Sequence, residues 1–150
     1  MEKVKVLMND IIDLIKENLS NDGSASLKIK GNSMFPFYKD GKTEVTLIKP
    51  IFPLIKLDVI LYHVQEKHIL HRIVAVKDEG YVVCGDALKE NEFVKQNQIE
   101  AVVISHKNKE KLILETQFFY RLMVRKWLFL KPIRRYLIKL FRILKKEENQ

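Results

Sequence analysis

Apolar positions recur at helical spacing near both ends of the chain and at strand spacing between them. Val4, Met8, Ile11, Ile12, Ile15 and Leu19 fall on one helical face, with Lys3, Asp10, Asp13 and Lys16 elsewhere. This predicts an amphipathic helix over residues 2–19, ended by the Ser20–Ser24 stretch with Gly23 inside it. The period then changes. Residues 25–30 alternate, with Leu27 and Ile29 on one side. Segments 44–48, 58–64, 69–76, 81–84, 100–106 and 111–114 are short runs rich in Val, Ile and Leu. Turn signals stand among them: Gly31-Asn32, Asp40-Gly41, Pro50, Pro53, Asp78-Glu79-Gly80 and Lys107-Asn108-Lys109. Such a series predicts an antiparallel β-sheet or partly closed barrel.

After Glu115 the pattern is helical again. Phe119, Met123, Trp127 and Leu130 repeat at helical spacing, and Pro132 breaks the run. A second helix follows, with Ile133, Leu137, Leu140, Phe141 and Leu144 on one face. Arg134, Arg135, Arg142, Lys145 and Lys146 are expected mostly on the other. The expected fold class is mainly β with flanking helices: one N-terminal amphipathic helix and two C-terminal basic ones. The expected division is a body over 1–115, with its core in 25–106, and a helical tail over 116–150.

Charge sharpens that division. The chain of 150 residues has 27 Lys+Arg and 19 Asp+Glu, a net charge of +8. Residues 116–150 hold ten basic side chains against Glu147 and Glu148, which accounts for the whole excess. The body is neutral and the tail is basic. With 47% apolar residues and few Gly or Pro, the chain is not disordered or low-complexity. Its length suits one domain, burying roughly 70% of the unfolded surface. The single cysteine, Cys84, excludes an internal disulfide framework and a multi-cysteine zinc site, and fits a reducing cytosolic setting. Charges interrupt the N-terminal apolar pattern, so no secretory signal is expected. No apolar run is long enough to predict a transmembrane helix.

Three segments carry candidate chemistry. In Gly31-Asn32-Ser33-Met34-Phe35-Pro36, a serine follows a glycine bend at the end of a strand. A serine so placed is either a turn residue or an exposed nucleophile with its own N–H aimed at a reacting carbonyl oxygen. In His68-Ile69-Leu70-His71-Arg72-Ile73-Val74, His71 lies inside an apolar strand, as a satisfied core residue or as a general base. His68, three residues earlier, points to the opposite face, so only one of the two can face Ser33. In Val83-Cys84-Gly85-Asp86-Ala87, a strand ends in a Gly-Asp turn, followed by Glu90, Asn91 and Glu92. Beside a histidine base this loop offers an acid to orient the imidazole.

In this order, over residues 25–106, the three segments resemble the serine peptidase superfamily of signal peptidases and LexA-type self-cleaving repressors. Ser33-Met34-Phe35-Pro36 is similar to the superfamily's nucleophile motif, His71-Arg72 to its general base, and Gly85-Asp86 to its Gly-Asp turn. Histidine rather than lysine at the base is the pattern of endoplasmic-reticulum and sporulation-type signal peptidases. The resemblance implies a signal-peptidase/LexA-like antiparallel β-fold and a serine endopeptidase that cleaves a signal, leader or precursor peptide. Ser33 would be the nucleophile, His71 the base and Glu92 the third member. Gly31, Met34 and Asp86 would support the turn or the oxyanion hole. No metal or cofactor is implied. The chain departs from the pattern at Gly31, where signal peptidases often have serine, and at Gly41-Lys42 and Leu57-Asp58, where Gly-Asp pairs are usual.

The superfamily's usual membrane-spanning helices or DNA-binding domain are not expected here. The basic tail stands in their place, with seven of the 14 aromatic residues. It is expected to lie on an anionic membrane surface, placing the protein in the cytoplasm, peripherally at the inner face of the membrane. The alternatives are that its apolar face packs on the body, or that it contacts nucleic acid, which needs fewer apolar side chains. A functional alternative is an idle peptidase-like binding module recruited by the tail.

Overall fold

The computed structural model describes residues 2–21 and 23–148, with side chains described from Asp10 onward. Helix α1 (Glu2–Asn21) precedes eight strands: β1 (Ser24–Lys28), β2 (Thr43–Ile48), β3 (Val59–Val64), β4 (Lys67–Lys77), β5 (Gly80–Cys84), β6 (Glu92–Val94), β7 (Ile99–Asn108) and β8 (Lys111–Leu114). Helices α2 (Phe118–Phe129) and α3 (Arg134–Glu148) follow. Val4 and Met8 lie outside the residues whose side chains are described. Ile12, Ile15 and Leu19 are buried, as their spacing requires.

The strands form one antiparallel sheet in the order β1-β2-β7-β3-β4-β5-β6, with β8 paired to β7. Hairpins β3–β4, β4–β5 and β7–β8 close through two-residue turns. None of these two-residue turns contains glycine, and two of them begin with Gln65 or Lys109 at positive φ. Bulges at Leu61/Tyr62 in the β3–β7 ladder and at Ile73/Ala75 in the β4–β5 ladder shift the register there.

The central strands are covered on both faces. Val59 and Leu61 of β3 and Ala101 and Val103 of β7 enter a core completed by α1, α2, α3 and the loop after β1. Ile60 and Tyr62 enter a second core with Ile73, Tyr81, Val83, Val94 and Val102, where β3–β7 pack over their own inner face. Strand alternation therefore sends neighbouring residues of β4 to different cores: Arg72 to the first, His71 and Ile73 to the second.

The tail joins the first core. Helix α2 buries Tyr120, Val124 and Trp127, spaced four and three apart; Phe119 and Met123 face outward instead. Helix α3 buries Ile138 and Arg134. Burial of Arg134 corrects its expected place on the solvated face: the break at Pro132 turns the first residue of α3 inward, onto the end of β5.

Candidate active site

Ser33 lies in a turn between β1 and β2. Gly31 opens the turn at φ +88, a backbone state that favours glycine, and its N–H donates to Asp40 Oδ1 at 2.9 Å. Phe35 N–H donates to Asn32 O and Tyr38 N–H to Met34 O, giving the segment a helix-like winding. Met34, Phe37 and Tyr38 are buried beneath it and anchor it to the first core. Ser33 itself is half-buried. Its carbonyl accepts a 2.9 Å hydrogen bond from Ala87 N–H, which pins the turn to the Gly85-Asp86 loop. The contact is so close that a Cβ on Gly85 would lie 2.6 Å from Ser33 O. Among the described residues, none of the turn's backbone hydrogen bonds engages the Ser33 N–H.

His71 stands next to this contact. Arg72 pairs with Cys84, so the antiparallel register places His71 beside Gly85. His71 is largely buried, and its Nδ1 lies 3.1 Å from the Tyr62 hydroxyl. That hydroxyl donates to Glu92 Oε2 at 2.5 Å. A phenol has one proton, and burial, with Glu92 beside it, pushes the Tyr62 pKa far up, so the proton stays on the hydroxyl. With that proton given to the carboxylate, Tyr62 must accept from His71 Nδ1–H. Nε2 then keeps its lone pair and is the basic nitrogen. Burial lowers the His71 pKa below 6.5, partly offset by Glu92 and Asp86, so the imidazole is neutral at pH 7.

Arg72 ties these parts together from the other face of β4. Its Nη2 donates to Asp86 Oδ2 at 2.8 Å and to Tyr120 OH at 3.0 Å, and its Nη1 donates to Leu57 O at 2.9 Å. Burial alone would lower its pKa; Asp86, Tyr120 and Tyr38 outweigh burial and hold the guanidinium charged. The guanidinium also lies over the Phe37 ring, 5.5 Å from its centroid. One side chain thus touches the Ser33 turn, the Gly85-Asp86 turn and α2. The tail adds direct contacts: Trp127 Nε1 donates to Asp86 O at 2.7 Å, and Arg121 Nη2 donates to Asp58 Oδ1 at 3.0 Å.

The Ala87 N–H bond therefore holds the Ser33 turn against the Gly85-Asp86 loop, the β4–β5 register sets His71 beside that loop, and Tyr62 links His71 to Glu92. Asp86 is buried against Arg72 rather than facing the imidazole. Glu90 is exposed. His68 faces the other way and lies 3.2 Å from Glu100. Cys84 is buried. Asp40 and Asp58 brace the neighbouring loops: Asp40 accepts from Gly31 N–H, and Asp58 accepts from Ile55 N–H and Arg121. Tyr62 was not singled out by sequence. Its signal was its place in a hairpin, where Ile60 opposes His71 and alternation puts Tyr62 on the same face. No family model matches the chain, and no curated protein matches it.

Proposed function

We propose that the chain is a serine endopeptidase of the signal-peptidase/LexA-like fold, in which Ser33 is the nucleophile and His71 the general base. His71 Nε2 takes the Ser33 proton as Oγ attacks a peptide carbonyl, and the Ser33 N–H holds the developing oxyanion. The imidazolium then gives its proton to the leaving amine. Water, activated by the same nitrogen, releases the acyl group from Ser33. Glu92 acts on His71 through Tyr62, fixing the tautomer and favouring the imidazolium. The substrate class is a signal, leader or precursor peptide, cut in the cytoplasm at the inner face of the membrane.

One observation carries this reading: the Glu92–Tyr62–His71 chain leaves the Nε2 lone pair unengaged beside Gly85, against which the Ser33 turn is packed. A histidine that only filled the core would not need a part-buried acid to select its tautomer. A fluorophosphonate probe tests the site without knowledge of the substrate. Ser33 should be labelled in the full chain, and Ser33→Ala should abolish labelling. His71→Ala should slow it by about 10³-fold. Equal labelling of the His71→Ala protein, or no labelling of a folded wild type, would leave an idle peptidase-like binding module as the reading.

A further inference from the structure

The outer surface of α2 and α3 has the opposite character from a solvated helix face. Helix α2 packs on the body through Tyr120, Val124 and Trp127, and its other side exposes Phe119 at 81% and Phe129 at 86%. Helix α3 touches the body through Arg134, Ile138 and the half-buried Leu137. This leaves an apolar arc at spacings of three and four, with Tyr136 69% and Leu140 50% exposed. Had the amphipathic pattern of α3 served the core, that arc would be the buried one.

Charge identifies the occupant. Residues 116–146 contain no acidic side chain. Arg125 and Lys126 lie near Phe129 around a shared groove, and Arg135, Lys139 and Arg142 are exposed alongside the apolar arc of α3. A second copy of the chain would oppose cation to cation. Nucleic acid would take the cations but leave Phe119, Phe129 and Leu140 in water. An anionic bilayer accepts both classes, the apolar groups below the headgroups and the cations among the phosphates. Among the described residues, no helix is long and apolar enough to cross a membrane, so the pair would lie in the interface.

We propose that the outer face of α2 and α3 docks on an anionic lipid bilayer. The proposal stands whether or not Ser33 is a nucleophile, because no residue of the catalytic proposal contributes to this face. Sedimentation of the full chain with vesicles tests it, using phosphatidylcholine alone and phosphatidylcholine mixed with phosphatidylglycerol. The wild type should pellet with the mixed vesicles and stay in solution with the neutral ones. The variant Arg135→Glu/Lys139→Glu/Arg142→Glu should lower partitioning by at least about 100-fold, at roughly 5-fold per cation lost. Phe119→Ser/Phe129→Ser should lower it by about 10-fold on the same vesicles. Both variants alter exposed positions, and thermal melts by circular dichroism check that they fold. Raising salt on the unaltered chain should weaken binding without any substitution. Equal partitioning onto neutral and anionic vesicles would overturn the proposal, as would no pelleting with either or no effect of the triple variant. So would pelleting without lipid that the phenylalanine variant removes, which would assign the face to a second copy. Binding to duplex DNA that depends on the three cations and ignores the phenylalanines, with no vesicle binding, would assign it to nucleic acid.

Discussion

Replacing Tyr62 with phenylalanine would remove one hydroxyl and preserve the ring that fills the second core. That hydroxyl makes two hydrogen bonds, at 2.5 Å to Glu92 and 3.1 Å to His71. The bond to the ionised acceptor is worth about 1.5–3 kcal/mol and the other about 0.5–1.5 kcal/mol. Global stability should therefore fall by about 2–4 kcal/mol, read from urea denaturation. On the proposed mechanism, labelling of Ser33 should fall further than stability explains, because Nδ1–H loses its acceptor and the proton is free to move to Nε2. The imidazolium formed during attack also loses the polarised hydroxyl–carboxylate pair. A differential loss of about 2–3 kcal/mol corresponds to roughly 30- to 200-fold in rate. The assay is the rate of fluorophosphonate labelling of Ser33 under conditions where the variant is folded. Glu92→Gln keeps an oxygen for Tyr62 but removes the charge, so its loss should be smaller, about 10-fold. The expected order is wild type, Glu92→Gln, Tyr62→Phe, then His71→Ala. If Tyr62→Phe labelled within about twofold of wild type while His71→Ala did not label, the relay would have no part in preparing the base.

Other consequences are testable on the same protein. Asp86→Ala leaves the Arg72 guanidinium buried without its carboxylate and should cost about 3–5 kcal/mol in urea denaturation. Gly85→Ala pushes a Cβ against Ser33 O, a backbone atom, and should destabilise by about 1–3 kcal/mol. Its labelling rate should fall more than that loss explains, since the Ser33 turn must back away. Because burial lowers the His71 pKa, the folded protein should keep a neutral base to below pH ~6.5, and the acid limb of labelling should lie under that value. For stability the sign is the same. The unfolded chain takes up the proton first as pH falls through ~6.5, so the contribution of His71 is present above that pH and lost below it. Comparing melting midpoints of wild type and His71→Ala between pH 8 and pH 5 measures this difference.

Much of the scaffold could be read from local pattern. The strands from β2 to β5 and β7 to β8 were expected within a few residues, because each is a Val/Ile/Leu-rich run with a turn nearby. Strand β6 was not: Glu92-Phe93-Val94 is too short to show a period and exists because β5 offers it an edge. The helix break at Pro132 was legible, since proline acts locally. The face that α2 buries was not. Phe119 and Met123 share helical spacing with Trp127, and only the position of Phe37 and Arg72 beneath the helix decides for Tyr120 and Val124. Arg134 misled for the same reason, because charge argues for solvent until the orientation of α3 is known. At the site, Ser33, His71 and Glu92 were singled out by the resemblance of their ordered segments to the peptidase superfamily, not by residue type or spacing alone. Tyr62 did not, because its role depends on cross-strand geometry: it lies diagonally from His71 across the β3–β4 pair.

Trp127 has a use beyond packing. It is the only tryptophan in the chain, so the intrinsic fluorescence at long wavelength comes from one place. Its indole N–H is bonded to the Asp86 carbonyl, and its ring stands edge-on to Phe37, with centroids 6.4 Å apart. Lifting α2 from the sheet would expose the indole and break that bond at once, which changes both the emission maximum and quenching. The protein thus carries a native optical reporter at the seam where the helices meet the two turns. Vesicle titrations followed by this signal would record whether lipid engagement leaves that seam closed, with no label attached.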